Sequence, residues 1–194
     1  LQHQNQKLKN HLLSFNLLSA AAIELLVAKA KPRTLKKGDF FITEGKVCNE
    51  VAFIKSGILR SYYTSKAAEE FTYCITFPDQ FMTAYSSLIT GAPSQENIQA
   101  MSAVELLVLK KSELDAWAEE NVNGIKLLKT IAEQQYIHLE KRVFMYQKDT
   151  AKERYLALFE SHPEYIKQIP MQYLASFLAI TPRHLSRLRK EVHL

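Results

Sequence analysis

Arg183, His184, Ser186, Arg187 and Arg189 fall on one side of a short stretch near the C-terminus, ITPRHLSRLRKE (180–191). An arginine fork donates two parallel hydrogen bonds to a guanine edge or grips a phosphate. Four Lys/Arg and no carboxylate lie between Thr181 and Lys190. That chemistry is recognition of a polyanion, double-stranded DNA first, rather than bond making. Leu185 and Leu188 recur three apart and face inward. Thr181 supplies the N-cap and Pro182 the first helical position. Ahead of them, Leu174, Ala175 and Leu178 share one face of a preceding helix. The stretch from Ile169 to Glu191 therefore reads as a helix–turn–helix. The alternative is an amphipathic C-terminal helix whose basic face is merely solvated.

No comparable pattern supports catalysis. The histidines stand at 3, 11, 138, 162, 184 and 193, and none falls between Pro32 and Trp117. A metal enzyme of the cupin type, built inside a β-roll, has no ligands to use there. Walker, GxGxxG and GxSxG motifs are missing. The two cysteines, Cys48 and Cys74, give no disulfide framework and no cluster-binding set. They fit a reducing cytoplasm. No apolar run approaches the roughly 20 residues needed to span a bilayer, and no signal peptide is evident. The expectation is a cytoplasmic protein without enzymatic activity, cofactor, metal or membrane contact. The chain begins at Leu1 without a methionine, which points to a trimmed N-terminus. Its 194 residues carry a net charge of +5, permissive of an acidic partner but not proof of one.

Four zones must position the basic helix. Residues 1 to about 30 have Leu12, Leu13, Leu17, Leu18, Ile23, Leu26 and Val27 near helical spacing, up to Pro32. From Thr34 to Lys110 the runs 40–43, 50–55, 58–64, 70–77, 96–100 and 104–110 are rich in β-branched and aromatic residues. Gly38, Gly45, Gly57 and Gly91 fall beside them. Short strands at close spacing predict an antiparallel β-roll. Ser112 to Asp115 reads as a capping-box start for a short helix containing Trp117. After Gly124 a long helix is predicted from Ile125 to about Gln147. Its Ile125, Leu128, Ala132, Gln135, Leu139, Arg142 and Tyr146 step by threes and fours, a coiled-coil seam for a homodimer whose later members are polar. The alternative is a helix packed on its own β-domain. Thr150 to Glu153 is a second capping box, and His162-Pro163 ends the helix it opens. The expected division is 1–148, a sensor domain with its flanking helices, and 149–194, a DNA-binding domain.

From about Leu35 onward this order of parts resembles the CRP/FNR superfamily of bacterial transcription regulators. The resemblance rests on KKGDFFITEG (36–45), VAFIKSGILRSYY (51–63), the long helix and the terminal helix–turn–helix. It implies an α+β fold: a β-roll of the cyclic-nucleotide-binding type, a dimerising helix and a small winged-helix domain. It also admits RNA polymerase as a partner. Carried onto this sequence, Thr181 caps the helix and touches phosphate, and Arg183 and Arg187 read bases. His184 and Ser186 are secondary contacts, and Arg189 meets phosphate or solvent. Pro182 replaces a residue that often reads a base. Ala179 stands at the turn where glycine is usual. The sequence ends soon after the reading helix, so a truncated wing is expected.

The nucleotide cassette departs from the family. Thr83-Ala84 stands where a glycine–glutamate pair would hold the ribose. Ser94-Gln95 stands where an arginine pair would hold the cyclic phosphate, and no Arg or Lys occurs from Met82 to Leu109. A buried phosphate without a cation loses its main charge-assisted bonds. The candidate effector pocket comprises Phe81, Met82, Thr83, Ala84, Tyr85, Ser94, Gln95 and His138, taking an unknown small molecule or filled as core. His138 touches an effector, or else sits on the dimer face or in solvent. The resulting expectation is a homodimeric regulator that reads a palindromic site without responding to cyclic AMP. The rival is an effector-sensing or interaction module, for instance for a cyclic nucleotide held by other residues, that does not bind DNA specifically.

Overall fold

The computed structural model describes residues 5–192. Two helices open the chain, α1 (Gln6–Ser14) and α2 (Ala20–Lys29). The break between them is sharp, with Asn16 at φ 55° and Ser19 capping α2 through Ala22 N–H. Eight strands follow: β1 (Lys31–Leu35), β2 (Phe40–Ile42), β3 (Glu50–Ser56), β4 (Leu59–Thr64), β5 (Glu70–Thr76), β6 (Phe81–Met82), β7 (Asn97–Ala100) and β8 (Val104–Lys110). They form two antiparallel sheets of four, ordered β1-β8-β3-β6 and β2-β7-β4-β5. This is the expected β-roll. β1 and β6 were not legible as strands, since β1 is a polar KPRTL edge and β6 has only two residues.

Side-chain alternation builds two layers of core from one strand. Val104, Leu106 and Val108 of β8 point into the roll with Ala52, Ile54, Leu59 and Ile98. Leu107 and Leu109 point out, where Leu8, Leu12, Ile23, Leu26, Trp117 and Leu127 cover them. Between β6 and β7 lies a short helix, α3 (Tyr85–Thr90), that strand-oriented reading did not anticipate.

The helical half corrects two expectations. The helix α4 (Lys111–Glu119) starts one residue before Ser112, with Lys110 at the N-cap position and no side-chain cap. The Ser112 capping box therefore does not form. Next, α5 (Val122–Lys148) begins before Gly124, because the Asn121 side chain accepts from Asn123 and Gly124 N–H. Gly124 sits inside the helix against Trp117, where a Cβ would come within 2.9 Å of the indole. The glycine is there for close packing rather than for a turn. The Thr150 capping box does form and opens α6 (Ala151–Ser161), followed by α7 (Pro163–Ile166). The pair α8 (Met171–Phe177) and α9 (Pro182–Glu191) completes the chain. A third core joins Ile166, Ile169, Leu174, Ala175, Leu178 and Leu185 to Ile58, Ile75, Phe77 and Met101 of the roll. Among the described residues no wing strand follows α9, and no helix is long and apolar enough to cross a membrane.

Candidate nucleic-acid interface and effector groove

The turn between α8 and α9 is closed by two backbone bonds, Ile180 N–H to Ala175 O and Ala179 N–H to Ser176 O, each 3.0 Å. This is the pattern of a helix ending in a left-handed residue. Ala179 holds that conformation at φ 54°, at a cost of roughly 1 kcal/mol. Thr181 then caps α9, accepting from His184 N–H at 3.2 Å, with Pro182 following. Leu185 and Leu188 are buried. Opposite them, Thr181, Arg183 and Arg187 are exposed, while His184, Ser186 and Arg189 are half-buried. Arg187 lies 3.9 Å from Glu191 on the same exposed face, a pair worth little in water. Arg189 reaches back to the Ile166 carbonyl at 3.4 Å, so its guanidinium also ties α9 to α7.

The proposed effector residues divide between two adjoining cavities. One, about 530 Å³, is a groove between the roll and α5; Phe81, Met82, Thr83, Tyr85 and His138 line it. Ser94 and Gln95 line the other, of about 500 Å³, and the two meet at Tyr73, Ser86 and Glu96. Thr83 is occupied internally, donating to the Glu50 carbonyl at 2.8 Å. Ala84 is core. The Ser94 hydroxyl is spent on the Glu96 backbone.

Three polar groups that face the groove, Tyr73, Glu96 and Arg142, were not among the expected pocket residues. Tyr73 donates its hydroxyl to the Glu96 carboxylate. The Arg142 guanidinium, from α5, lies 5.6 Å from the Tyr73 ring centre. So an acid, and not a phosphate-binding arginine, follows Ser94-Gln95. Glu96 lay in the right stretch. Its bond from Tyr73 spans 23 positions and the approach of Arg142 to Tyr73 spans 69, so neither left a local signal.

Burial pushes the Glu96 carboxyl above the usual carboxylate range, against the opposing pull of hydrogen bonds from Tyr73 and Ser61. The folded state therefore holds this proton more tightly than the unfolded chain. Its stabilising contribution is complete below about pH 4.5 and is lost as pH rises through the folded value. Glu96→Gln, which cannot ionise, should melt close to wild type at pH 4 and above it at pH 8. Parallel melting curves across that range would refute this.

The long helix presents two faces. Leu128 is half-buried in the core beside Trp117 and Leu127. Leu128, Gln135 and Leu139 all line the groove, as does Arg142. Ile125 and Leu139 are 54% and 58% exposed, and Ala132 is half-buried. Exposed Val122, Ile125, Tyr136, Leu139 and Val143 share one stripe with half-buried Ala132. With Lys129 they keep a strict alternation of threes and fours. Of the expected seam residues, Leu128, Gln135 and Leu139 border the groove, and Ile125 and Leu139 are exposed.

Residues 32–121 match the family model of the cyclic nucleotide-binding domain. FixK2 from Bradyrhizobium japonicum superposes with a TM-score of 0.74 at 17% identity, covering 84% of each chain. The fold is that of the CRP/FNR regulators. A crp/fnr-family transcriptional regulator from Eubacterium rectale gives 0.69 at 17% identity, over 95% of this chain and 88% of that one. The c-di-GMP-responsive global regulator CLP of Xanthomonas campestris gives 0.66 at 13% identity, over 90% and 92%. No curated protein sequence matches the chain. Within the CRP/FNR fold, 32–121 is the β-roll with α3 and α4, and α5 to α9 lie beyond the matched segment. Among the described residues no group of three His, Cys, Asp or Glu is placed to hold a metal.

Proposed function

We propose that this chain is a homodimeric, sequence-specific DNA-binding transcription regulator that does not respond to cyclic AMP. The observation that carries the reading is α9: Arg183 and Arg187 stand exposed on the face opposite buried Leu185 and Leu188. In a two-fold dimer the paired helices would enter successive major grooves about 34 Å apart, which calls for a palindromic site. Anisotropy titrations at several salt concentrations test it, since phosphate neutralisation gives a steep salt slope. Arg187→Ala should cost about 1–3 kcal/mol on a cognate site and relax preference at one base pair per half-site. Arg189→Ala should weaken all sequences alike. A uniform loss for Arg187→Ala would reduce that residue to a phosphate contact. Binding without salt dependence would remove the DNA reading itself.

Cyclic AMP is disfavoured on two counts. Ser94 and Gln95 supply no cation, and Glu96 sets a carboxyl against the groove. Each lost charge-assisted bond costs about 1.5–3 kcal/mol. Two such losses take a micromolar site to about millimolar affinity. Calorimetry at high protein concentration should register no cyclic AMP binding. A dissociation constant of about 10 μM or tighter contradicts the assignment.

A further inference from the structure

The edge strand β5 carries one residue more than its partner. Ser61 pairs with Cys74 and Tyr62 with Thr72, leaving Tyr73 as the extra residue of a β-bulge. A bulge re-aims a side chain and locally disrupts the ladder. Here it turns Tyr73 to the groove, its hydroxyl on Glu96 and its ring beside Arg142. The residue before it faces the helix–turn–helix. Thr72 N–H donates to Ser176 Oγ of α8 at 2.9 Å, and Ser176 in turn reaches the Glu70 carbonyl at 3.4 Å.

A clamp lies alongside. Arg60 of β4 is 1% exposed. Its guanidinium is sandwiched between the ring of Tyr62, at 3.9 Å, and that of Tyr173 from α8, at 3.5 Å. Glu70 pairs with it at 2.6 Å, and Gln99 accepts from it at 2.8 Å. A desolvated cation between two aromatic faces is held strongly only while both faces are present. Yet the contact is incompletely satisfied. Arg60 Nη1 and Thr72 Oγ1 are two of the three buried side-chain polar atoms without a hydrogen-bond partner among the described residues. Native structures leave few such atoms. The docking of α8 on β5 thus combines a strong grip with two unpaired buried polar atoms on the strands it grips, the kind of balance a two-position element requires.

We propose that β5 is a two-sided relay, in which the state of the groove acts on bulged Tyr73 and sets how firmly Thr72, Ser176 and the Arg60 clamp hold the DNA-reading domain on the roll. Its consequence for transcription rests on the DNA-binding reading; the mechanical coupling does not. Hydrogen–deuterium exchange of the full chain, without DNA, tests the coupling. Ser176→Ala should speed exchange of the Thr72 amide about tenfold or more. Arg60→Met should do so throughout α8, with β3 and β8 unchanged. Tyr73→Phe, which alters only a groove contact, should raise exchange at Thr72 and α8 at least threefold. Should Arg60→Met fail to fold, Tyr173→Leu opens the sandwich from the other side. The relay is overturned if Tyr73→Phe changes exchange only near Glu96 and α3, if the clamp variants leave α8 as protected as wild type, or if all strands loosen together. Absence of DNA binding with the exchange result intact would fault the functional reading alone.

Discussion

Gly57→Ala should be the most damaging single methyl that can be added to this chain. Gly57 turns β3 into β4 at φ +87°, and a Cβ there would lie 2.3 Å from the Ala103 carbonyl oxygen and 2.9 Å from Val104 Cα. Both are backbone atoms at the start of β8, so no rotamer change relieves the overlap. The left-handed conformation costs about 1–2 kcal/mol and overpacking about 1–3 kcal/mol. Together, about 2–5 kcal/mol is a large share of a typical 5–15 kcal/mol stability. For a chain of this size each kcal/mol moves the midpoint by about 2–4 °C, so a drop of about 4–20 °C is expected. Gly91→Ala is the control: φ is +71° but nothing lies within 4 Å of the added Cβ. It should cost only the conformational part, about 1–2 kcal/mol. Equal losses in calorimetric scans of the two variants would show that strain, not the collision with β8, governs position 57.

That contrast also marks what was readable beforehand. Four glycines announced turns, and all four take positive φ. The sequence does not say which one has a strand at its back, because the neighbour is 46 positions away. The strand runs of β2 to β5, β7 and β8, and the α8–α9 pair, were legible for a similar reason. Their signals are local: alternation, a Thr-Pro cap, leucines three apart. Gly124 misled because its reason for being glycine is Trp117, a tertiary contact, while its position mimics a helix boundary. The groove was legible only by subtraction. Missing cations at 94 and 95 spoke against a nucleotide, but Tyr73, Glu96 and Arg142 converge through a bulge that periodicity cannot register. Within α5, threes and fours fit two neighbouring faces at once. Burial of Leu127 and Leu128 against the roll marks the groove side, and exposed Leu139 borders the groove as well.

The exposed stripe of α5 carries the other large effect. A Tyr136→Glu, Leu139→Glu double variant should convert the protein to a folded, soluble monomer and lower its affinity for a palindromic site by about 10²–10⁴-fold. Both side chains are well exposed, at 66% and 58%. Charging them therefore leaves the monomer's own core intact, and its far-ultraviolet spectrum and melting should stay close to wild type. Leu128→Glu would not be a clean test, since Leu128 packs beside Trp117 and Leu127. Burying an exposed leucine-sized side chain contributes about 1.5–3 kcal/mol. The stripe from Val122 to Val143 offers several, twice over in a symmetric pair. Replacing its centre with carboxylates sets like charges across the axis as well. The DNA term follows from linkage of two reading helices, because the second half-site is bound at high effective concentration only while the subunits are joined. Light scattering and anisotropy on the same samples decide it. A wild-type chain that is monomeric at micromolar concentration removes the seam. A double variant that stays dimeric places the interface on another surface.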